Sequence, residues 1–166
     1  MNPPKQVLMK TSGDCGRAAL AGALGISYDE ASKYLPGQES RTKADLRDSM
    51  IHHKVALYHM RVASRIVTFE DIIAGKCAIG RTCILIHSPT APTLGQHWVN
   101  FGGRDTFGNI ILWWNSPKEP VRTVPVEIFY SYYHDGSFNH AHECGAGSIR
   151  KPSWWERLWF WATVKI

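Results

Sequence analysis

The sequence predicts an α+β fold, with helices in its first half and strands in its second. Three observations carry this. Small and apolar residues fill the stretch from Cys15 to Leu24, between a Ser12-Gly13-Asp14 turn and Gly25. Two more helix starts of the capping type follow it. Short apolar runs then alternate with glycine-bearing turns, which is the pattern of an antiparallel meander.

The elements read in order as follows. Ser12, Gly13 and Asp14 supply turn and cap chemistry for a buried helix over 15–24, and Gly25 ends it. Ser27-Tyr28-Asp29-Glu30 opens a second helix to about Leu35, stopped by Pro36-Gly37. Thr42-Lys43-Ala44-Asp45 opens a third through Leu46, Met50 and Ile51. Val55, Leu57, His59 and Arg61 then alternate with Ala56, Tyr58, Met60 and Val62, which predicts a strand over 55–62. Thr68-Phe69-Glu70-Asp71 starts a short helix ending near Gly75. Strands are expected at Thr82 to His87, His97 to Phe101 and Ile110 to Trp114. A turn through Gly102-Gly103-Arg104-Asp105 and Phe107-Gly108-Asn109 joins the last two. Pro125 suits the first turn of a final helix through Tyr133. Residues 1–133 therefore read as one domain. Residues 134–166 read as a Gly/His-rich loop and an aromatic tail.

The chain has 166 residues, enough for one domain with its own core. Its 44% hydrophobic and 20% charged content excludes disorder. The net charge is +5, but Lys and Arg are scattered and form no binding arm, so no specific nucleic-acid partner is expected. Cys15, Cys77, Cys83 and Cys144 form neither a Cys-x-x-Cys pair nor a disulfide framework. No signal peptide opens the chain and no apolar run spans a bilayer. A reducing, cytoplasmic setting is expected, of the kind a small phage or mobile-element enzyme would meet.

The chemistry centres on Cys15. Cysteine catalysis needs a thiolate, and a helix N-terminus lowers a thiol pKa through its free N–H groups. Gly13 and Gly16 keep bulk away from the sulfur, and the Cys15 N–H is placed to donate to an oxyanion. His97, opening a strand after Thr93-Leu94-Gly95-Gln96, is the candidate base. Asn115, ending the next strand in Trp113-Trp114-Asn115-Ser116-Pro117, is the candidate that orients the imidazole. Two adjacent strands would set His97 and Asn115 side by side.

The run Gly13-Asp14-Cys15-Gly16-Arg17-Ala18-Ala19-Leu20-Ala21-Gly22-Ala23-Leu24-Gly25-Ile26-Ser27-Tyr28 resembles the opening of papain-like cysteine peptidases. It is most similar to the bacteriocin-processing, double-glycine type and its stand-alone relatives. The resemblance spans roughly 6 to 117. It implies a helical half carrying the nucleophile, packed on an antiparallel sheet. It also implies Cys15 as nucleophile, His97 as base, Asn115 as orienting residue, and a protein or peptide substrate without a cofactor. The family's oxyanion glutamine stands a few residues before the nucleophile. Gln6 lies nine positions upstream and Met9 nearer the usual place, so Gln6 is the carry-over and Thr11 or Ser12 are substitutes. No transporter segment accompanies the match, so double-glycine specificity is not carried over.

Other readings compete. Cys15 alone reads as a small buried hydrophobe. His87 is the rival base and Asp105 the rival acceptor. His52, His53 and His59 read as structural or exposed. His134, His140, His142 and Cys144 offer imidazole and thiolate to zinc, but their spacing matches no metal motif, and a polar loop with no metal is the expectation. The same Cys-His-Asn set would also serve a deamidase or transglutaminase, or survive in an inactive binding protein. The tail from Trp154 to Trp161 is expected to pack on the domain or dock on a partner, with membrane-surface contact a third reading.

Overall fold

The structure, a computed structural model, describes residues 1–11, 13–35, 46–87, 96–133 and 141–163, side chains at 46–49, 87, 96 and 131–133 excepted. Along the chain run α1 (Cys15–Leu24), α2 (Tyr28–Ser32), α3 (Leu46–His59), β1 (Ser64–Val67), α4 (Phe69–Ile73), β2 (Thr82–His87), β3 (Gln96–Arg104), β4 (Ile110–Trp113), β5 (Val121–Val124), α5 (Val126–Tyr133), β6 (Ala141–Cys144) and α6 (Trp154–Thr163). The strands form one antiparallel sheet in the order β1-β6-β2-β3-β4-β5. N-terminal helices pack on this sheet, so the α+β expectation holds.

Both faces of the sheet are covered, which explains the unbroken apolar run from Cys83 to Ile86. Cys83 and Leu85 join Ala19, Leu20, Ala23 and Trp98 beneath α1 and α3. Ile84 and Ile86 join Val99, Phe101, Ile72 and Phe129 on the opposite face, under α4 and α5. A strand buried on both sides loses its polar alternation.

Helix α1 has the limits the sequence predicts, and Gly25 ends it in the left-handed conformation at φ 67°. Ser27 accepts from Glu30 N–H to start α2, and Thr68 and Asp71 form a reciprocal capping box on α4. The expected cap on α1 is different: the Asp14 side chain makes no cap hydrogen bond to that helix.

The strand expected over 55–62 is helix α3 instead. His52, His53, Val55 and Ala56 are all buried, and the pairs 52/55 and 52/56 have helical spacing. Because Ala56 is buried along with Val55 and Leu57, the apparent two-residue alternation is not an in–out pattern. The helix ends where Arg61 takes a positive φ of 55°.

Three strands escaped the sequence reading. β1 and β5 are only four residues each, two of them polar, too short for a clear strand pattern. β6 lies in the stretch read as a Gly/His-rich loop, yet every residue in it is buried, and it sits between β1 and β2. The segment expected as tail therefore completes the sheet. His134 and His140 lie outside the described residues.

Helix α6 packs on the domain along one side only, and no residue in it is fully buried. Phe160 packs against the α1–α3 cluster, Glu156 pairs with Lys54 at 2.6 Å, and Thr163 Oγ1 contacts His52 Nε2 at 2.8 Å. Trp154, Trp155, Leu158, Trp159 and Trp161 stay exposed. Among the described residues no helix is long and apolar enough to cross a membrane.

Candidate active site

Cys15 opens α1, which lies against β3. It keeps partial solvent access, whereas Cys77, Cys83 and Cys144 are buried. Burial raises the Cys15 pKa above its ordinary value; hydrogen bonds from the N–H groups of Trp98, Gly16 and Cys15 itself act the other way, and the Asp14 charge adds to the rise. The expected depression at the helix N-terminus is present as a contribution but does not win, because desolvation of a thiolate outweighs a few backbone dipoles.

The N–H of Trp98 on the sulfur puts Cys15 beside the start of β3, next to His97 in sequence. His97 Nε2 lies 2.7 Å from the Trp114 carbonyl. A carbonyl only accepts, so Nε2 carries the proton and Nδ1 is the basic nitrogen of the neutral ring. Burial lowers the His97 pKa, the Trp114 carbonyl opposes that fall, and Arg122 adds to it. The Trp114 ring lies tilted against His97, with centroids 4.8 Å apart, and carries the Arg122 guanidinium 3.7 Å over its centre. Arg122 is in turn held by Glu119.

Asn115 is fully buried beside this group, but it does not make the expected bond to His97. Its Nδ2 donates to Asn100 Oδ1 at 2.9 Å, and its Oδ1 has no hydrogen-bond partner. The reason is backbone geometry: β4 ends at Trp113, and Asn115 turns into the left-handed region at φ 63°. That turn presents the carbonyl of Trp114, rather than the amide of Asn115, to the imidazole. The Asn115 carbonyl accepts from Met9 N–H at 2.8 Å, tying the N-terminal segment to the site. Gln6 is tied there too, but its amide nitrogen donates to the Pro120 carbonyl. Thr11 gives its N–H to Asp14. Ser12 lies outside the described residues, as does the His87 side chain. Asp105 closes its own turn by accepting from the N–H groups of Phe107 and Asn109.

Asp14 acts as a strut. Fully buried, it accepts from the Tyr28 hydroxyl and pairs with Arg17 at 3.4 Å, while Arg17 donates to Tyr28 at 2.8 Å and to the Leu35 carbonyl at 3.0 Å. Burial and the Asp14 bond push the Tyr28 hydroxyl up to about 12. Asp14, Arg17 and Tyr28 thus lock the turn that presents Cys15 to the start of α2.

Behind α1 the structure gathers a second group that the sequence left scattered. His53 Nδ1 meets His142 Nε2 at 2.8 Å, and His53 Nε2 meets the Gly16 carbonyl at 2.9 Å. The His53 ring stacks on Trp98 at 3.9 Å. His142 Nδ1 lies 3.8 Å from the Cys144 sulfur, and Asn100 Nδ2 lies 3.6 Å from the Cys83 sulfur. The one legible signal was His142-x-Cys144, since residues two apart on a strand share a face. His53 and Cys83 carried none, because only tertiary pairing brings them there.

In comparison with known proteins, the chain overlays the peptidase domain of Streptococcus ComA, a bi-functional ABC transporter involved in quorum sensing. The match has TM-score 0.63 and 15% identity, covering 86% of this chain and 98% of that one. The fold is that of a double-glycine peptidase domain. The Streptococcus mutans ComA peptidase domain matches with TM-score 0.59 and 12% identity over 86% of this chain and 99% of its own. A double-glycine motif protease from an AMS/PCAT transporter, solved with its leader peptide, matches with TM-score 0.59 and 12% identity over 89% and 97%. No protein-family model matches the chain, and no curated protein matches it in sequence. The double-glycine peptidase fold is therefore reached through tertiary structure, with the sequence resemblance confined to short motifs.

Proposed function

We propose that the chain is a cysteine peptidase acting on peptide or isopeptide bonds, with Cys15 as nucleophile and His97 as base. The observation that carries the reading is the placement of a partly accessible thiol at the start of α1, touched by the N–H next to His97, on a double-glycine peptidase fold. His97 Nδ1 takes the Cys15 proton as the sulfur bonds to the substrate carbonyl carbon. The Nε2–H bond to the Trp114 carbonyl then stabilises the imidazolium. The Cys15 N–H donates to the oxyanion, and His97 returns its proton to the leaving amine. Water, deprotonated by the same imidazole, releases the acyl group. Trp114 performs the orienting task expected of Asn115, which acts as a positioning residue through its turn. The AMS/PCAT relative was solved with a leader peptide, which supports an extended peptide as substrate class.

Cleavage of a peptide library, read by mass spectrometry, tests this. Wild type is expected to cleave, and Cys15→Ala and His97→Ala to lose at least about 1,000-fold in kcat/KM. Equal cleavage by Cys15→Ala would end the proposal. Amine incorporation into glutamine side chains without cleavage would instead identify a transglutaminase using the same residues. A second reading, an inactive binding protein, is favoured by one observation: the Asn115 amide bonds to Asn100 rather than to His97, and its Oδ1 is left without a partner. Peptide binding without turnover under all conditions would select it.

A further inference from the structure

We propose that His53, His142 and Cys83 form a buried transition-metal site of the zinc(II) class, placed directly behind the helix that carries Cys15. Their ligand atoms all lie within 4.8 Å of one another, and all three residues are buried. Two imidazoles and a thiolate suit zinc, which takes mixed nitrogen and sulfur ligands at about 2.0–2.3 Å. No carboxylate belongs to the group, which argues against calcium or magnesium.

The surroundings match those of metal ligands, which are held by outer hydrogen bonds. His53 uses Nε2–H on the Gly16 carbonyl at 2.9 Å, leaving Nδ1 for the metal. His142 turns Nε2 inward and has the Cys144 sulfur 3.8 Å from Nδ1. Cys83 has the Asn100 amide 3.6 Å from its sulfur. Each histidine thus has one nitrogen for the ion and a separate polar partner at the other, while the Cys83 sulfur, whose thiol donates to the Ala19 carbonyl at 3.5 Å, has the Asn100 amide to support it as a thiolate. Trp98 stacks on His53 and fixes the ring plane. The two inward nitrogens stand 2.8 Å apart and need to part only to about 3.3 Å for tetrahedral coordination.

Loading balances without redox change. The metal displaces the proton that His142 Nε2 donates to His53 Nδ1; the His142 ring changes tautomer and keeps that proton on Nδ1, as a hydrogen-bond donor toward the Cys144 sulfur. Cys83 gives up its thiol proton to solvent and binds as thiolate. The consequence is local: a metal on His53 strengthens the donor that holds the Gly16 carbonyl, and so stiffens the first turn of α1 beneath Cys15. The site stands on its own ligands and does not require Cys15 to be catalytic.

The test uses the full chain, stripped with chelator and titrated with zinc(II) and, separately, cobalt(II). One ion per chain is expected, with a thiolate-to-cobalt charge-transfer absorption and X-ray absorption showing two nitrogen ligands and at least one sulfur. Cys83→Ser and His142→Ala should weaken binding at least about tenfold, while Cys77→Ser, outside the group, should leave it unchanged. Far-UV circular dichroism checks that the variants fold. X-ray absorption on the wild type keeps the test decisive if they do not. Stoichiometry far below one, a metal shell without sulfur, or an undiminished charge-transfer band in folded Cys83→Ser would overturn the proposal.

Discussion

Gly22→Ala separates helix propensity from tertiary packing. Gly22 lies inside α1, where replacing glycine by alanine ordinarily stabilises a helix by about 1 kcal/mol. In the folded chain a Cβ at this position would come 2.8 Å from the Lys5 carbonyl oxygen and 3.4 Å from Asn100 Oδ1. The Lys5 oxygen belongs to backbone and has no rotamer to escape into. Lys5 N–H also donates to the Gly22 carbonyl at 3.0 Å. Overpacking costs about 1–3 kcal/mol, and the strained hydrogen bond about 1 kcal/mol more. Set against the propensity gain, the net loss is about 2 kcal/mol. In a chain of 166 residues that lowers Tm by about 4–8 °C. The assay is thermal and urea unfolding, with amide exchange as local readout: Lys5 and Met9 N–H should exchange faster, since both tie the N-terminal segment to α1 and Asn115. A higher Tm in Gly22→Ala would refute the reasoning, because propensity would then have outweighed the close approach.

Iodoacetamide on the native protein should modify Cys15 alone, the other three thiols being buried, and its rate should keep climbing above pH 9 because burial raises this thiol; a rate plateau near pH 7, read by mass spectrometry, would show a resting thiolate instead. The His97 ring should make stability pH-dependent: its folded pKa lies below the unfolded value near 6.5, so the unfolded chain binds the extra proton and stability falls as pH drops below about 6.5, by up to about 1.4 kcal/mol per unit. His97→Gln should reduce that slope in urea titrations, with buried His53 supplying the remainder, and an unchanged slope would reassign it. Glu156→Gln removes the ion pair that holds α6 to Lys54, a partly exposed contact, and should cost about 1 kcal/mol or less while speeding amide exchange across α6. Unchanged α6 exchange would mean that Phe160 and the Thr163–His52 contact hold the helix without the ion pair.

How much was legible depended on whether the deciding contacts were local. The limits of α1, the caps of α2 and α4, and the strand limits of β2 follow from neighbours in sequence, and the structure keeps them. Helix α3 was misread because buried Ala56 sits between Val55 and Leu57, and alternation cannot be told from a helix face until burial is known. β6 was missed because Ala141-His142-Glu143-Cys144 has the composition of a loop. Its burial comes from insertion between β1 and β2, and its Glu143 is compensated by Arg65 at 3.0 Å.

The sequence by itself determined the α+β class, the helix that presents Cys15, and the strand that begins beside His97. Those features rest on caps, glycines and hydrophobic runs within a few residues of each other. Tertiary structure decided the protonation and the partners. Burial pushes the Cys15 pKa up, the left-handed turn at Asn115 gave His97 the Trp114 carbonyl, and strand insertion brought His142 to His53. Desolvation and long-range pairing depend on what surrounds a residue in space, which no local pattern records.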